Sequence, residues 1–229
     1  MRARGVFFDL DGTLIDTTEL ILASCRYTFE RHFGTCPPRE TLIATFGRSL
    51  PETLLEFAED ARLPDPRAAA DAMLATYRSH NDEHHDALIG SFAGVEQVLT
   101  TLRAAGLRVG VVTSKREGTA RRGLLRYGLD RFLDVAVFHD DTTRHKPDPE
   151  PLLMAAMQAG LGTGEVVYVG DSVHDIVAGR AAGIRTIAAL WGPFARAELA
   201  AARPDALAEV PLDLLPLLEI EAPSTCVPD

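Results

Sequence analysis

The sequence contains very little lysine. Of its 23 basic residues only Lys115 and Lys146 are lysines, and all the others are arginines. Lysine carries a compact charge on a flexible stem, whereas the guanidinium of arginine is planar and forked. A sequence that favours arginine this strongly is expected to keep lysine where a compact ammonium is needed. Survival of two lysines by chance is the alternative.

Cysteine and long apolar runs are also scarce. The three cysteines, Cys25, Cys36 and Cys226, are odd in number and lack the paired spacing of a zinc site, so we expect free thiols in a reducing compartment. Only three large apolar residues lie between Met-Arg-Ala-Arg and Asp9, which is too few for a secretory signal. No later stretch approaches the length of a membrane span. These absences predict a cytoplasmic protein that does not enter a membrane.

Positive charge is in deficit. The chain has 33 acidic and 23 basic residues and a formal net charge of -10 at pH 7, which repels nucleic-acid phosphates and anionic lipids. The densest basic group, Arg121, Arg122 and Arg126, has the spacing of a solvated helix face. We therefore expect a small-molecule partner rather than a nucleic acid or a membrane. The oligomeric state stays open between a monomer and a homodimer.

Short apolar runs alternate with helical patterns along most of the chain. With 229 residues and 46% hydrophobic content, the protein can bury a sizeable core. Five apolar runs are typical of buried strands, at 5–9, 107–113, 134–138, 165–170 and 185–190. Strands that alternate with helices predict a mainly parallel sheet covered on both faces. The expected fold class is therefore α/β, with a Rossmann-like core.

One long interval breaks this alternation. Residues 16–86 carry apolar positions at helical spacing and contain no strand pattern. They predict an all-helical cap domain, inserted into a catalytic core formed by residues 1–15 and 87–229. Because the insertion leaves the sheet directly after the first strand, we expect it to lie over the strand ends as a lid. The C-terminal stretch EAPSTCVPD is expected to be frayed.

The stretch VFFDLDGT places two carboxylates, Asp9 and Asp11, after the first predicted strand. A lone Asp-Gly turn would explain such acids structurally, but an acid at the end of a buried strand needs a positive partner. The ends of later strands, and one position just before a helix, supply Thr113, Lys146, Asp171 and Asp175. Carboxyl ends of parallel strands meet at one edge of a sheet. Carboxylates, a hydroxyl and an ammonium together suit magnesium-assisted phosphoryl transfer.

Four ordered motifs resemble those of the haloacid dehalogenase (HAD) superfamily of aspartate-nucleophile hydrolases. They are DLDGT at 9–13, the apolar strand that ends in Thr113, Lys146 in KPDPEP, and GDSVHD at 170–175. The resemblance covers nearly the whole chain, including a helical cap after the first motif. It implies that Asp9 attacks phosphorus and becomes an aspartyl phosphate. It also implies that Asp11 protonates the leaving group and then activates water.

The same resemblance implies roles for the other motif residues. Thr113 and Lys146 would hold the phosphoryl oxygens. Asp9, Asp171 and the backbone carbonyl of Asp11 would bind Mg²⁺, and Asp175 would steer Lys146 or a metal-bound water. The neighbouring residues expected to contact substrate are Gly12, Thr13 and Ser114. Lys115 is expected to be only a solvated loop residue.

Within the superfamily, the residues favour the phosphatases. The dehalogenating branch needs no proton shuttle at the position of Asp11, and the phosphonate-cleaving branch needs a cap lysine, which this cap lacks. A phospho-acceptor signalling module also combines acids, a threonine and a lysine on an α/β sheet. Such modules are single small domains without a helical insertion, which argues against that alternative.

Substrate specificity is expected to come from the cap. Arg48, in the turn FGRSLPETL, would bind a second anionic group of the substrate or lie in solvent. His84 and His85 would hydrogen-bond a leaving phosphate or a carboxylate at the hinge between cap and core, or simply be solvated. Four segments together resemble the inorganic pyrophosphatase subfamily of HAD phosphatases: TTELILAS, FGRSLPETL, NDEHHDALI and DDTTRHKPDPEP. Pyrophosphate is thus the expected substrate, with phosphoglycolate or another small phosphomonoester as the alternative.

Overall fold

A computed structural model of the protein describes residues 3–220. Its strands, in chain order, are β1 (Gly5–Phe8), β2 (Ile15–Asp16), β3 (Gly90–Ser91), β4 (Arg108–Val112), β5 (Val135–Val137), β6 (Val166–Gly170), β7 (Arg185–Ala189) and β8 (Ala206–Ala208). Six of them form a sheet in the order β5-β4-β1-β6-β7-β8, and every pairing in it is parallel. The predicted parallel α/β sheet is confirmed.

Helices cover both faces of this sheet, as predicted. Four helices belong to the insertion. The helices of the core follow them in the chain and are α5 (Val95–Ala104), α6 (Glu117–Arg126), α7 (Glu150–Ala159), α8 (Val173–Ala181), α9 (Arg196–Ala201) and α10 (Leu214–Leu217). Successive strand residues face opposite sides. Val6 and Phe8 accordingly pack with Leu99 of α5, whereas Phe7 packs with Leu152 of α7 in a second cluster.

The sheet register brings the ends of the central strands to one level. In β1, Gly5 lies opposite Arg108 of β4 and Val166 of β6, and Phe8 lies opposite Val111 and Val169. The residues that follow these strands therefore leave the sheet at the same edge. This edge carries the acidic motifs predicted from the sequence.

The helical insertion contains α1 (Thr18–Phe33), α2 (Arg39–Ile43), α3 (Leu50–Asp60) and α4 (Pro66–Leu88). Its apolar side chains form a cluster of their own, which includes Phe29, Leu54 and Met73. A short antiparallel ribbon of β2 and β3 lies where the chain enters and leaves the insertion. The helices end two residues beyond the predicted boundary at 86, because α4 continues to Leu88.

Two parts of the sheet system were not predicted. The edge strand β8 has three residues and the ribbon strands have two each, so none is long enough to show a strand periodicity.

Among residues 3–220, no helix combines the length and the hydropathy needed to cross a membrane. The tail expected to fray and Cys226 lie outside the described residues. Cys25 and Cys36 are free thiols, as predicted.

Candidate active site

A crevice of about 170 Å³ lies between the strand ends and the helical insertion. The core contributes the two acids after β1, the loop after β4 and the loop after β6, while the insertion contributes residues of α1, α3, α4 and the turn before α3. The lining residues with charged or catalytic functional groups include Asp9, Asp11, Thr113, Lys115, Asp171, Arg48, Arg78, Asp82, Arg116 and His139. The topology therefore brings the predicted motifs after β1, β4 and β6 into one cavity.

Asp9 lies at the bottom of this crevice, directly after β1. Its backbone N–H donates to the carbonyl of Val169 at 2.9 Å, which ties the motif to β6. The ammonium of Lys146 lies 2.8 Å from Asp9 Oδ1, but without hydrogen-bond alignment, so this buried oxygen has only an electrostatic partner among the described residues. Burial raises the pKa of Asp9 to about 7, against the opposing effect of Lys146.

Lys146 is fully buried among acids and a phenol. Its Nζ donates to Asp175 Oδ1 at 2.7 Å and to the hydroxyl of Tyr168 at 3.0 Å. Burial alone would lower the pKa of Lys146, but Asp175 and Asp9 outweigh burial and hold that pKa above its usual value. The lysine is thus a fixed positive charge beside Asp9. Asp175 lies where it can orient this ammonium.

Tyr168 is a site residue that the sequence reasoning missed. Its hydroxyl donates to the carbonyl of Val112 at 3.0 Å and lies 3.0 Å from Asp175 Oδ1. It therefore joins the ends of β4 and β6 to the Lys146 network. A polar phenol in the middle of the apolar run EVVYVG was the available signal, because a buried tyrosine hydroxyl requires a partner.

Asp171 is held by the turn that follows β1. The hydroxyl of Thr13 donates to Asp171 Oδ1 at 2.6 Å, and both side chains are buried. Gly12 has φ +80°, and a Cβ there would lie 2.3 Å from Asp171 Oδ2. Gly12 and Thr13 thus shape the position of Asp171, whereas the sequence assigned them to substrate. Burial, then Asp175 and Asp9, raise the pKa of Asp171 well above its usual range.

The acidic cluster fits a hard divalent cation. Asp9, Asp171 and Asp175 each offer a carboxylate oxygen within 4.8 Å of the others, and all three are buried. Lys146 supplies only one positive charge against them. Asp175 is already engaged by Lys146 and by the N–H and hydroxyl of Ser172 at 3.0 and 2.6 Å. Asp9 and Asp171 therefore remain as oxygen donors for a cation such as Mg²⁺.

The expectation that Lys115 is merely solvated is wrong. Its Nζ donates to Asp11 Oδ1 at 2.7 Å, and its side chain is only 12% exposed. Its backbone N–H donates to the hydroxyl of Thr113 at 3.1 Å, so the loop folds back over the strand end. The local turn, which the sequence did not specify, directs this side chain into the crevice. The scarcity of lysine in the sequence was a signal that Lys115, like Lys146, has a specific role.

Ser114 and Arg48 were expected to bind substrate, and both have protein partners. The hydroxyl of Ser114 donates to the carbonyl of Gly47 at 2.7 Å, which links the core to the insertion. Arg48 lines the crevice, but both of its terminal nitrogens donate hydrogen bonds to Glu56, one of them at 2.8 Å to Oε2. The charge of Arg48 is therefore matched within the insertion.

His84 and His85 are not among the described residues that line the crevice. His84 Nδ1 lies 3.0 Å from the carbonyl of His80, one helical turn earlier. His85 is buried and lies 2.8 Å from Asp86, which in turn pairs with Arg122 of α6. Burial lowers the pKa of His85. His84 also stacks on His80 of the same helix, whereas the ring of His85 lies beside Gly123 of α6. The alternative of a carboxylate partner is therefore confirmed for His85, and neither histidine lies where a leaving phosphate in the crevice would contact it.

Comparisons with known proteins agree with this architecture. A family model described as Haloacid dehalogenase-like hydrolase matches residues 6–189. "Putative pyrophosphatase PpaX" of Caldanaerobacter subterraneus subsp. tengcongensis is 40% identical over 220 residues, covering 96% of this chain and 95% of that protein. "Pyrophosphatase PpaX" of Bacillus cereus is 38% identical over 218 residues, covering 95% and 97%.

A solved structure shares the fold as well. The crystal structure of a "putative phosphoglycolate phosphatase" from Lactobacillus plantarum superimposes with a TM-score of 0.81 at 26% identity, covering 95% of this chain and all of that one. The family model spans most of the chain, and the relatives match it almost end to end. The chain therefore belongs to the haloacid dehalogenase-like hydrolase family, and it is an enzyme.

Proposed function

We propose that this phosphohydrolase hydrolyses inorganic pyrophosphate to two phosphates, with Mg²⁺ as cofactor and an aspartyl phosphate on Asp9 as intermediate. The observation that carries the chemistry is the buried Asp9 carboxylate, which faces the Lys146 ammonium in a crevice lined by Asp11 and Asp171. The substrate is supported by relatives that are 38–40% identical over at least 95% of this chain and bear the name pyrophosphatase.

The reaction proceeds in two displacements. In the first, a carboxylate oxygen of Asp9 attacks one phosphorus atom, and the bond from that phosphorus to the bridging oxygen breaks. Asp11 donates a proton to the leaving phosphate. In the second, Asp11 takes a proton from water, the water oxygen attacks the aspartyl phosphate, and the Asp9 carboxylate is regenerated with release of the second phosphate.

The surrounding residues orient these groups. Lys115, 2.7 Å from Asp11 Oδ1, holds the proton-transferring carboxylate at the crevice wall. Lys146 and the hydroxyl of Thr113 are assigned to the oxygens of the transferred phosphoryl group, and Asp175 and Tyr168 position Lys146. Asp9, Asp171 and the Asp11 carbonyl would hold Mg²⁺, which supplies positive charge for the phosphoryl oxygens when bound.

We also propose that residues 16–86 form a cap domain over a core of residues 1–15 and 87–229. Two observations support this division: the insertion has its own apolar cluster, and the β2–β3 ribbon marks where the chain leaves and rejoins the core. A cap over the strand ends would exclude bulk water from the aspartyl phosphate except for the attacking molecule.

A second candidate substrate is 2-phosphoglycolate, favoured by the similarity to the Lactobacillus plantarum structure. The test is phosphate release by the purified protein, with Mg²⁺, from pyrophosphate, 2-phosphoglycolate and several sugar phosphates. We expect many turnovers and the highest kcat/KM for pyrophosphate. A higher kcat/KM for 2-phosphoglycolate would replace the substrate and leave the proposed core mechanism in place.

A further inference from the structure

The leaving phosphate of pyrophosphate needs cationic partners. The residues predicted from the sequence for this role do not provide them. Arg48 is committed to Glu56, and His84 and His85 do not line the described crevice. Lys146 and Thr113 serve the phosphoryl group that is transferred. A second phosphate carries its own negative charge and requires its own donors in a desolvated crevice.

Such donors are present where three separate elements meet at the crevice. Arg78 comes from α4 of the insertion, Arg116 from the residue before α6, and His139 from the 3₁₀ helix His139–Asp141. All three residues line the crevice. The backbone N–H of His139 donates to the carbonyl of Lys115 at 3.0 Å, which fixes the 3₁₀ helix against the loop that carries Arg116.

The side chains of these three residues have few hydrogen-bond or ion-pair partners within the protein. Within residues 3–220, Arg78 has neither an ion pair nor a side-chain hydrogen bond, and the buried Nδ1 of His139 lacks a hydrogen-bond partner. Arg116 has one acid, Asp140, at 3.6 Å. Asp82 also lines the crevice, one turn beyond Arg78 on the same helix.

The positive charges of Arg78 and Arg116 act on one another, and both act on His139. Burial and then Arg116 lower the pKa of Arg78, while Asp140 and Asp82 only partly oppose this. Burial, the stacked ring of His145, Arg78 and Arg116 lower the pKa of His139, against the opposing effect of Asp140. An anion placed among them would relieve this repulsion.

Resting on the proposed function, we propose that Arg78, Arg116 and His139 form a distal anion site that binds the leaving phosphate of pyrophosphate. The site joins the insertion to the core, so an occupied site holds the two together around the substrate. A monophosphate ester with an uncharged leaving group occupies only the Asp9 end of the crevice. The residues of the distal site therefore determine selectivity rather than the chemistry at Asp9.

The decisive measurement is the ratio of kcat/KM for pyrophosphate to kcat/KM for phenyl phosphate. We expect Arg78→Gln and Arg116→Gln each to lower this ratio at least tenfold. Arg67→Gln is the matched control, because Arg67 is an exposed residue of the same helix outside the crevice, and it should keep the wild-type ratio. Circular dichroism is used to check that each variant is folded. An unchanged ratio in both crevice variants overturns the proposal.

A second measurement separates this inference from the proposed function. Methylenediphosphonate, a P–C–P analogue that is not hydrolysed, is tested as an inhibitor of phenyl phosphate hydrolysis with Mg²⁺ in excess. We expect Arg78→Gln to weaken inhibition at least tenfold and Arg67→Gln to leave it unchanged. This test applies even if the wild type releases no phosphate from pyrophosphate, a result that would reject the proposed substrate alone. Equal inhibition of both variants would reject the distal site.

Discussion

At the scale of single residues, each aspartate of the DLDGT motif lies beside a different lysine ammonium. Lys146 lies 2.8 Å from Asp9, and Lys115 lies 2.7 Å from Asp11. These are the only lysines of the chain. The two pairs differ in burial, because Lys146 is fully buried while Lys115 borders the crevice. The Asp9 pair is therefore the less tolerant of a change in shape.

The first prediction concerns the nucleophile. Asp9→Asn keeps the size of the side chain but replaces the attacking carboxylate with an amide, so we expect a folded protein whose turnover falls to background. Phosphate release in the presence of Mg²⁺ and circular dichroism measure the two quantities. Near-wild-type phosphate release from this variant would end the proposed covalent mechanism.

The second prediction concerns the shape of the buried cation. Lys146 Nζ lies within 3.0 Å of Asp9, Asp175 and the Tyr168 hydroxyl, which leaves no room for a forked guanidinium. Lys146→Arg should lose about 1–3 kcal/mol of stability from overpacking and most of its kcat. Lys115→Arg is the comparison, since the same change beside the open crevice should be milder. Equal kinetics of Lys146→Arg and wild type would contradict this.

At the scale of elements, the turn between α2 and α3 connects the insertion to the core. The carbonyl of Gly47 accepts from Ser114, and His174 Nε2 lies 3.3 Å from the carbonyl of Ala44. Gly47 has φ +85°, and a Cβ there would lie 2.5 Å from Ser172 Oγ. This close approach places the turn directly against the loop that carries Asp171.

The third prediction tests that contact. Gly47→Ala should cost about 1–2 kcal/mol from its left-handed backbone and should also push the turn away from Ser172, lowering kcat/KM about tenfold. Gly34→Ala isolates the backbone effect, because Gly34 has φ +73° with no atom within 4 Å of its would-be Cβ. Thermal unfolding and kinetics are measured for both. A similar loss of kcat/KM in the two variants would show that the turn does not position the site.

At the scale of the whole molecule, charge is distributed unevenly. The protein has a net charge of -10, yet Arg78 and Arg116 line its crevice beside a buried acidic centre. Arg78 and Arg116 are expected to attract an anionic substrate, and the buried acids are expected to attract a divalent cation. We therefore expect the two kinds of ligand to bind to different parts of one cavity.

The fourth prediction follows from the buried acids. Mg²⁺ should stabilise the folded protein, by roughly 2.7 kcal/mol at a hundredfold excess over its Kd, which corresponds to a rise in Tm of about 5–10 °C. Asp171→Asn should reduce this shift, and NaCl at equal ionic strength should not reproduce it. Chelation should also abolish activity, and added Mg²⁺ should restore it. Full activity of a metal-free preparation would refute the assignment of Asp9 and Asp171 as ligands.

The sequence by itself determined the architecture and the catalytic edge. Apolar runs that alternate with helical patterns specified a parallel sheet, and the carboxyl ends of its strands necessarily gather Asp9, Thr113 and Asp171 at one edge. The motif around Lys146 could also be recognised in the sequence, because it occupies the third place in the order of the four motifs. These features depend on local periodicity and on the handedness of parallel connections, both of which are properties of the sequence.

Only the tertiary structure decided which charges are matched and which remain available. Arg48 pairs with Glu56, His85 with Asp86, and Lys115 with Asp11, whereas Arg78 and Arg116 line the same crevice. Two of these pairs bring together residues far apart in the sequence, and the others depend on how a helix is rotated or where a turn points. Periodicity fixes which element a side chain belongs to. Its partner is fixed by the packing of that element against the others, which is why the proposed distal anion site could be inferred only from the folded protein.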